Sequence, residues 1–387
     1  MKRASSVLFL GMVAAMLLVC GAVVAQEERP TGAAGPTDRY VVVLKDGTSA
    51  DPERTADGMA RRYGLGVGFV YSHALNGFSA TVPGGRLEEL RVDDRVDYVE
   101  RDEAMRAVAQ VLPWGVDRVE ADASSTKAGN GRGAVSGVNV YIVDTGIDKT
   151  HADLNVVGHV NFAGGKNADC DGHGTHVAGT LAARDNGSAV VGVAPGAPLI
   201  GVKVLGCSGE GSVSTVIEGI DWVTGNAQKP AVANMSLGGD VSRSVDDAVK
   251  RSAESGILYS VAAGNEGEDA CNHSPSRAGA GTDNGIITTA ATNKKNAEMG
   301  VSNYGRCVDL WAPGAGTLST RMGGGTTRMS GTSMAAPHAG GGAALYLRSR
   351  ASSSSSDVEG ALKAATRQPG TKSKDGRAIL LENVGLF

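Results

Sequence analysis

Residues 138–148 read VNVYIVDTGID, and this segment decides the fold. Its first part, VNVYIV, is short, β-branched and largely apolar without alternation, as suits a strand buried on both faces. The run ends on a carboxylate, Asp144, followed by a Thr-Gly turn. Four more runs of this kind follow: PLIGVKVL (198–205), AVANMSL (231–237), ILYSVAA (257–263) and GIITTAAT (285–292). Helical stretches separate them: GTHVAGTLAAR (174–184), STVIEGIDWVTGNA (214–227) and SVDDAVKRSAESG (244–256). The alternation predicts an α/β fold, a doubly wound parallel sheet with helices on both faces and right-handed crossovers. Ligands of such sheets collect at the carboxyl ends of the strands, where Asp144 falls.

Two further blocks carry chemistry, HGTHVAGT (173–180) and GTSMAAPH (331–338). A strand-end carboxylate can orient an imidazole and stabilise the imidazolium; the alternative use of Asp144 is to cap its own turn, as Asp148 is expected to do nearby. His173 opens a helix, with Gly172 and Gly174 clearing space around its ring. His176 would suit a metal pair, but no HExxH or further His/Cys cluster accompanies it, which argues against a metal. Ser333 opens the stretch MAAPHAGGGAALYLRS (334–349), with Pro337 expected near the first turn. A serine there faces unpaired backbone N–H groups, which suits an N-cap or a nucleophile whose oxyanion those groups stabilise. The glycine upstream and small Ala335 and Ala336 favour the exposed nucleophile.

The chain has 387 residues, room for a large core and more than one domain. A formal charge of −4 without a basic run argues against nucleic acid as a partner. Its 56 glycines lack a three-residue period, which excludes collagen and points to many tight turns. Residues 1–25 read as a secretory signal peptide, with Lys2 and Arg3, an apolar core from Val7 to Val19, and a cleavage site at Val23-Val24-Ala25. The alternatives are a membrane anchor, or lipid attachment at Cys20, which Val19 suits poorly. A secreted, extracellular protein with no membrane attachment after signal removal is expected. Residues 26–37 are a Pro/Gly-rich linker. Residues 38–106 then alternate strand, helix, two strands, helix and strand, an α+β unit of the ferredoxin-like kind. Cys170, Cys207, Cys271 and Cys307 can pair in three ways, and export favours pairing over free thiols.

With its blocks in the chain order Asp, His, Ser, the chain resembles a subtilase over roughly residues 112–387. Chymotrypsin-type enzymes run His, Asp, Ser and α/β-hydrolases Ser, Asp, His. The resemblance implies a subtilisin-like fold and a serine endopeptidase that works through an acyl-enzyme without a catalytic cofactor. It assigns Ser333 as nucleophile, His173 as general base, Asp144 as orienting carboxylate, and Asn265 of VAAGNEG as oxyanion donor. His176 is left structural. Activity is then expected to rise with pH through roughly 6–8, as a histidine base loses its proton.

The cysteine contexts, ADCDGHGTH, VLGC, the loop after AAGNEG and the residue before VDLWAPG, resemble the proteinase K and aqualysin-like group. That likeness implies the pairs Cys170–Cys207 and Cys271–Cys307. It also implies that Ser236, Leu237 and Gly238 hold one edge of an extended peptide and Gly209, Glu210 and Gly211 the other. Small Ala262, Ala263 and Gly264 would floor an apolar pocket for the residue before the scissile bond, giving broad specificity with an apolar or aromatic preference. Glu210 departs from the small polar residue usual there, which puts the subsite preference in doubt. Asp309 lies where the group has a carboxylate for structural calcium, with carbonyls expected from 277–283. HALNGFSATV and VDYVERD resemble a subtilase propeptide, so residues 38–106 are expected to act as chaperone and inhibitor, with the cut between about 104 and 112. The whole is expected to be a monomeric zymogen acting on proteins and peptides. The rival reading, an inactive subtilase-like binding or adhesion protein, is disfavoured by the intact catalytic positions.

Overall fold

A computed structural model describes residues 39–45, 47, 51–102, 110–281 and 283–387. They fall into two units that divide between Ala107 and Val108. The expected signal peptide, the linker and most of the cleavage segment lie outside the described residues.

The first unit runs β1 (Arg39–Leu44), α1 (Pro52–Tyr63), β2 (Gly66–Tyr71), β3 (Gly77–Thr81), α2 (Leu87–Arg91) and β4 (Val96–Arg101). Its antiparallel sheet has the order β2-β3-β1-β4, the expected ferredoxin-like arrangement. Helix α1 starts where Asp51 accepts the Arg54 N–H, with Pro52 at the first position, and it ends at Gly64. It buries Ala56, Met59 and Tyr63, one helical face, against Val42, Leu44 and Phe78.

The second unit opens with α3 (Trp114–Arg118) and then builds the larger sheet. Along the chain follow β5 (Asn139–Asp144), β6 (Val156–Asn161), α4 (His173–Ala182), β7 (Leu199–Lys203), α5 (Val213–Asn226), β8 (Ala231–Met235), β9 (Gly239–Asp240), α6 (Arg243–Glu254), β10 (Ile257–Ala262), β11 (His273–Ser274), β12 (Ile286–Thr292) and β13 (Leu310–Pro313). A hairpin, β14 (Thr317–Thr320) and β15 (Thr326–Met329), precedes α7 (Thr332–Ser349) and α8 (Ser355–Ala365). Seven parallel strands take the order β13-β12-β10-β8-β5-β7-β6. Both faces are covered, so alternate residues of one strand enter different cores. Val140 and Ile142 of β5 pack with Val177 and Leu181 of α4 and Leu345 of α7. Tyr141 and Val143 pack with Ile220 of α5 and Val249 of α6. The order reverses between β5 and β8, and such a switch point opens a crevice at the strands' carboxyl ends.

The two sheet edges, β6 and β13, were not expected. β6 is only half-buried and interrupted by Gly158 and His159, and β13 is four residues long. The serine run at 352–356 leads into a helix. Ser354 caps α8 in a box with Asp357, and Ser355 and Ser356 lie inside the helix.

Candidate active site

Asp144 ends β5 and is fully buried. Its Oδ1 accepts the Thr145 N–H at 2.7 Å and lies 2.8 Å from His173 Nδ1. A carboxylate can only accept, so Nδ1 carries the hydrogen and Nε2 keeps its lone pair. Gly174 explains why α4 comes so close to β5: a Cβ there would sit 2.1 Å from the Gly146 carbonyl and 3.1 Å from Asp144 Oδ1. Asp169 ties the strand end to the helix, accepting the Thr145 hydroxyl at 3.0 Å, the Gly172 N–H at 2.9 Å and the Thr175 N–H at 3.0 Å. Lys203, buried in β7, donates to the Thr145 carbonyl at 2.7 Å and the Leu205 carbonyl at 2.8 Å. Its burial lowers its pKa, against the pull of Asp169, Asp144 and Asp171.

Burial opposes a charge on His173, but Asp144, by charge and hydrogen bond, and then Asp171 and Asp169, outweigh it and raise its pKa to about 9. The pH range expected for a free histidine base, roughly 6–8, therefore moves upward. Burial drives His176 the other way, to about 4, and its Nε2 meets the Thr317 carbonyl at 3.1 Å.

Ser333 lies in the first turn of α7, where its N–H has no intrahelical carbonyl to bond. Pro337 falls in the second turn, not near the first, and its missing N–H leaves the Ser333 carbonyl without a helical donor. The Ser236 hydroxyl fills that gap at 2.9 Å, and Ser333 Oγ donates in return to the Ser236 carbonyl at 3.1 Å. The serine hydroxyl is thus directed at Ser236 rather than His173. Asn265 Oδ1 accepts both the N–H and the hydroxyl of Thr332, at 2.9 and 3.1 Å, and its amide nitrogen has no hydrogen bond among the described residues. Asn303 braces the same loop, donating to the Ala263 carbonyl at 3.0 Å and accepting the N–H groups of Glu266 and Glu268. Gly264 must be glycine, with φ 104° and a Cβ position 2.3 Å from Asn303 Nδ2.

His173 and Ser333 line one cleft of about 810 Å³. One side carries Gly209, Glu210 and Gly211 and the other Ser236, Leu237 and Gly238, and neither trio belongs to a strand. A pocket of about 90 Å³ opens between Leu237 and Gly238 and the wall of Ala262, Ala263, Gly264 and Asn265, with Ser333 at its mouth. Disulfides join Cys170 to Cys207, with Cα atoms 4.9 Å apart, and Cys271 to Cys307, 5.3 Å apart. The first ties the loop before α4 to the loop after β7.

Asp309 belongs to a different cluster. Its Oδ2 accepts the Thr288 N–H at 2.8 Å, and its Oδ1 lies 3.4 Å from Lys363 Nζ. The same ammonium meets Asp283 at 2.7 Å and Glu359 at 3.2 Å. Burial, with Glu359 beside it, raises Asp309 to about 7 despite the Thr288 N–H and Lys363. Lys363 brings one positive charge to these three carboxylates. Among the described residues no group of three or more His, Cys, Asp or Glu side chains is arranged to hold a metal.

Asp169, Lys203, Thr332 and Asn303 were not singled out from sequence. Lys203 had a signal, a lone charge inside the apolar run LIGVKVL, and Asp169 stands beside Cys170 in a block already quoted. Thr332 and Asn303 act through contacts 67 and about 40 residues distant, which no local pattern announces.

The subtilase family profile matches residues 135–385, and that of the peptidase inhibitor I9 family matches residues 39–107. An extracellular serine proteinase of Thermus sp. (strain Rt41A) is 39% identical over 94% of both chains. Alkaline serine exoprotease A of Vibrio alginolyticus is 40% identical over 83% of this chain, which spans 62% of that protein's length. A cuticle-degrading protease of Metarhizium anisopliae is 39% identical over 80% of this chain and 79% of its own. The crystal structure of a cold-adapted subtilisin-like serine proteinase superposes with a TM-score of 0.62 at 37% identity, covering 70% of this chain and 97% of that one. The chain belongs to the subtilase family of serine peptidases, with an inhibitor-type segment preceding the peptidase domain.

Proposed function

We propose that the protein is a secreted serine endopeptidase made as a self-processing zymogen. The observation that carries this reading is the 2.8 Å contact of His173 Nδ1 with buried Asp144 on the wall of a cleft that Ser333 shares. Ser333 Oγ turns about its Cα–Cβ bond from Ser236 toward His173 Nε2 and attacks the substrate carbonyl carbon. His173 takes the hydroxyl proton and passes it to the departing amine, while Asp144 stabilises the imidazolium. The Ser333 N–H and the Asn265 amide donate to the oxyanion. Water then repeats the sequence on the acyl-enzyme and frees the acid, so no cofactor takes part.

The substrate is read as an extended peptide held between Gly209–Gly211 and Ser236–Gly238 by backbone pairing. The small residues Ala262, Ala263 and Gly264 favour an apolar or aromatic side chain in the pocket before the cut. Residues 38–106 serve as propeptide and 112–387 as a monomeric catalytic domain, a division supported by the two family matches. Export rests on the leader at 1–25 and on relatives named extracellular or exoproteases; among the described residues no helix is long and apolar enough to cross a membrane. The calcium expected at Asp309 is left out of this reading, because the Lys363 ammonium stands 3.4 Å from Asp309 Oδ1 and no ligating group of three or more side chains is arranged there among the described residues.

The test is a serine-directed covalent inhibitor followed by peptide mapping. Label on Ser333, lost when His173 is replaced by alanine, is expected; label elsewhere, or none in a proteolytically active preparation, refutes the assignment. Purified Ser333→Ala is expected to remain an uncleaved precursor, and its normal processing would remove self-cleavage.

A further inference from the structure

Three carboxylates, Asp171, Glu210 and Asp240, line the cleft that holds His173 and Ser333, and among the described residues no lysine or arginine does. Asp171 precedes α4. Its Oδ1 accepts the His173 N–H at 3.1 Å, and its Oδ2 lies 3.6 Å from where a Cβ on Gly209 would stand. The carboxylate therefore faces the gap between the histidine and the segment 209–211, which carries Glu210. The Cys170–Cys207 bridge fixes this arrangement: Asp171 directly follows one cysteine and Glu210 comes three residues after the other. Neither carboxylate has an ion pair with lysine or arginine among the described residues. Two like charges are thus held on one exposed wall of the cleft without a lysine or arginine ion pair, and once His173 is neutral, as a base must be, a substrate cation placed there would be attracted to both.

Successive side chains of an extended peptide point to opposite sides. When one residue fills the pocket of Ala262, Ala263 and Gly264, its N-terminal neighbour turns toward the wall of His173, Asp171 and Gly209. We propose that this wall selects lysine or arginine at the second residue before the scissile bond. The preferred substrate is then a cationic peptide in which a basic residue precedes the apolar residue at the cut. This inference rests on the endopeptidase reading given above.

The test uses mature enzyme and two chromogenic peptides that differ only in arginine or glutamine at that second position. At low salt kcat/KM is expected to favour arginine by roughly five- to tenfold, the scale of two partly exposed ion pairs. The preference should shrink at 0.5 M NaCl, where such charges are screened. Glu210→Gln and Asp171→Asn should each lower the arginine-to-glutamine ratio, and the double substitution should bring it near one. Glu210→Lys should turn the preference toward a glutamate peptide, a reversal that mere loss of folding cannot produce. Hydrolysis of both peptides with a wild-type ratio of one or below overturns the specificity proposal alone. No hydrolysis of either peptide, with Ser333 unlabelled by the inhibitor, overturns the endopeptidase reading beneath it.

Discussion

Two clusters of buried charge in the peptidase unit are built on different plans. Beside the cleft, Asp144 is wholly buried and bonds His173 through one oxygen, while the other, Oδ2, has no partner among the described residues. The partner histidine remains a quarter exposed. Around Lys363, one ammonium meets Asp283, Asp309 and Glu359, and the free oxygen of Glu359 accepts the N–H groups of Asn284 and Gly285. The first cluster leaves a group able to gain and lose a proton toward the cleft. The second gathers three carboxylates around one shared cation and joins α8 to the loops before β12 and β13. Substitutions in the first should therefore alter rate far more than stability, and substitutions in the second the reverse.

The largest contrast is expected from Asp144→Asn. The amide can present its N–H to Nδ1 and so favour the wrong tautomer. In related Ser-His-Asp proteases, changes at this carboxylate lower kcat by about 10⁴. The melting temperature should move little by comparison. A variant that melts far earlier yet retains most of its kcat would place Asp144 in the structural class with Asp309.

The pH profile probes the same cluster. His173 is raised to about 9, chiefly by Asp144 against the cost of burial, and the base must be neutral to accept a proton. Hence kcat/KM should still climb between pH 7 and 9. A plateau already complete at pH 7 would show that Asp144 holds the imidazolium far less firmly than the geometry indicates.

In the second cluster, Lys363→Met removes the shared cation. Stripping one partner from a buried ion cluster costs about 3–5 kcal/mol, and partial exposure of this ammonium reduces that to about 2–3 kcal/mol. The melting temperature should fall by several degrees with kcat/KM unchanged. A chelator should leave the wild type's melting temperature unaltered at this locus. If it lowers that temperature in wild type but not in Asp309→Asn, a bound metal rather than Lys363 balances the carboxylates.

The same contrast governs what could be read from sequence. β5, β7, β8, β10 and β12 stood out because burial on both faces makes a strand a continuous apolar run. β6 did not, since an edge strand can carry Gly158 and His159 without exposing a core. Asp144, His173 and Ser333 were legible because each sits at an element boundary beside glycine or small residues, a local arrangement. The supports are long-range. Ser236 answers Pro337 across the start of α7, Asn265 is anchored by Thr332, and Lys363 reaches Asp309 from a helix more than fifty residues on. Such partners are set by how elements pack, which periodicity does not encode. The aspartate at 309 could be found from its strand-end context, but the ammonium that meets it could not.

The smallest expected effect concerns Glu382, a carboxyl belonging to neither plan. It is 2% exposed and both its oxygens lack a partner among the described residues. Burial alone raises its pKa well above the ordinary value of 4.5, so the folded protein keeps a proton that the unfolded chain gives up. Stability from this site is therefore fully present below about pH 4.5 and is lost as pH climbs toward the folded-state pKa. Glutamine has nearly the same shape and does not titrate. Glu382→Gln should match wild type in melting temperature at pH 4 and exceed it by a few degrees at pH 8, with kcat/KM unchanged. A difference independent of pH would mean that Glu382 is paired in solution, and that this unit holds a third charge cluster rather than a neutral acid packed against Gly342.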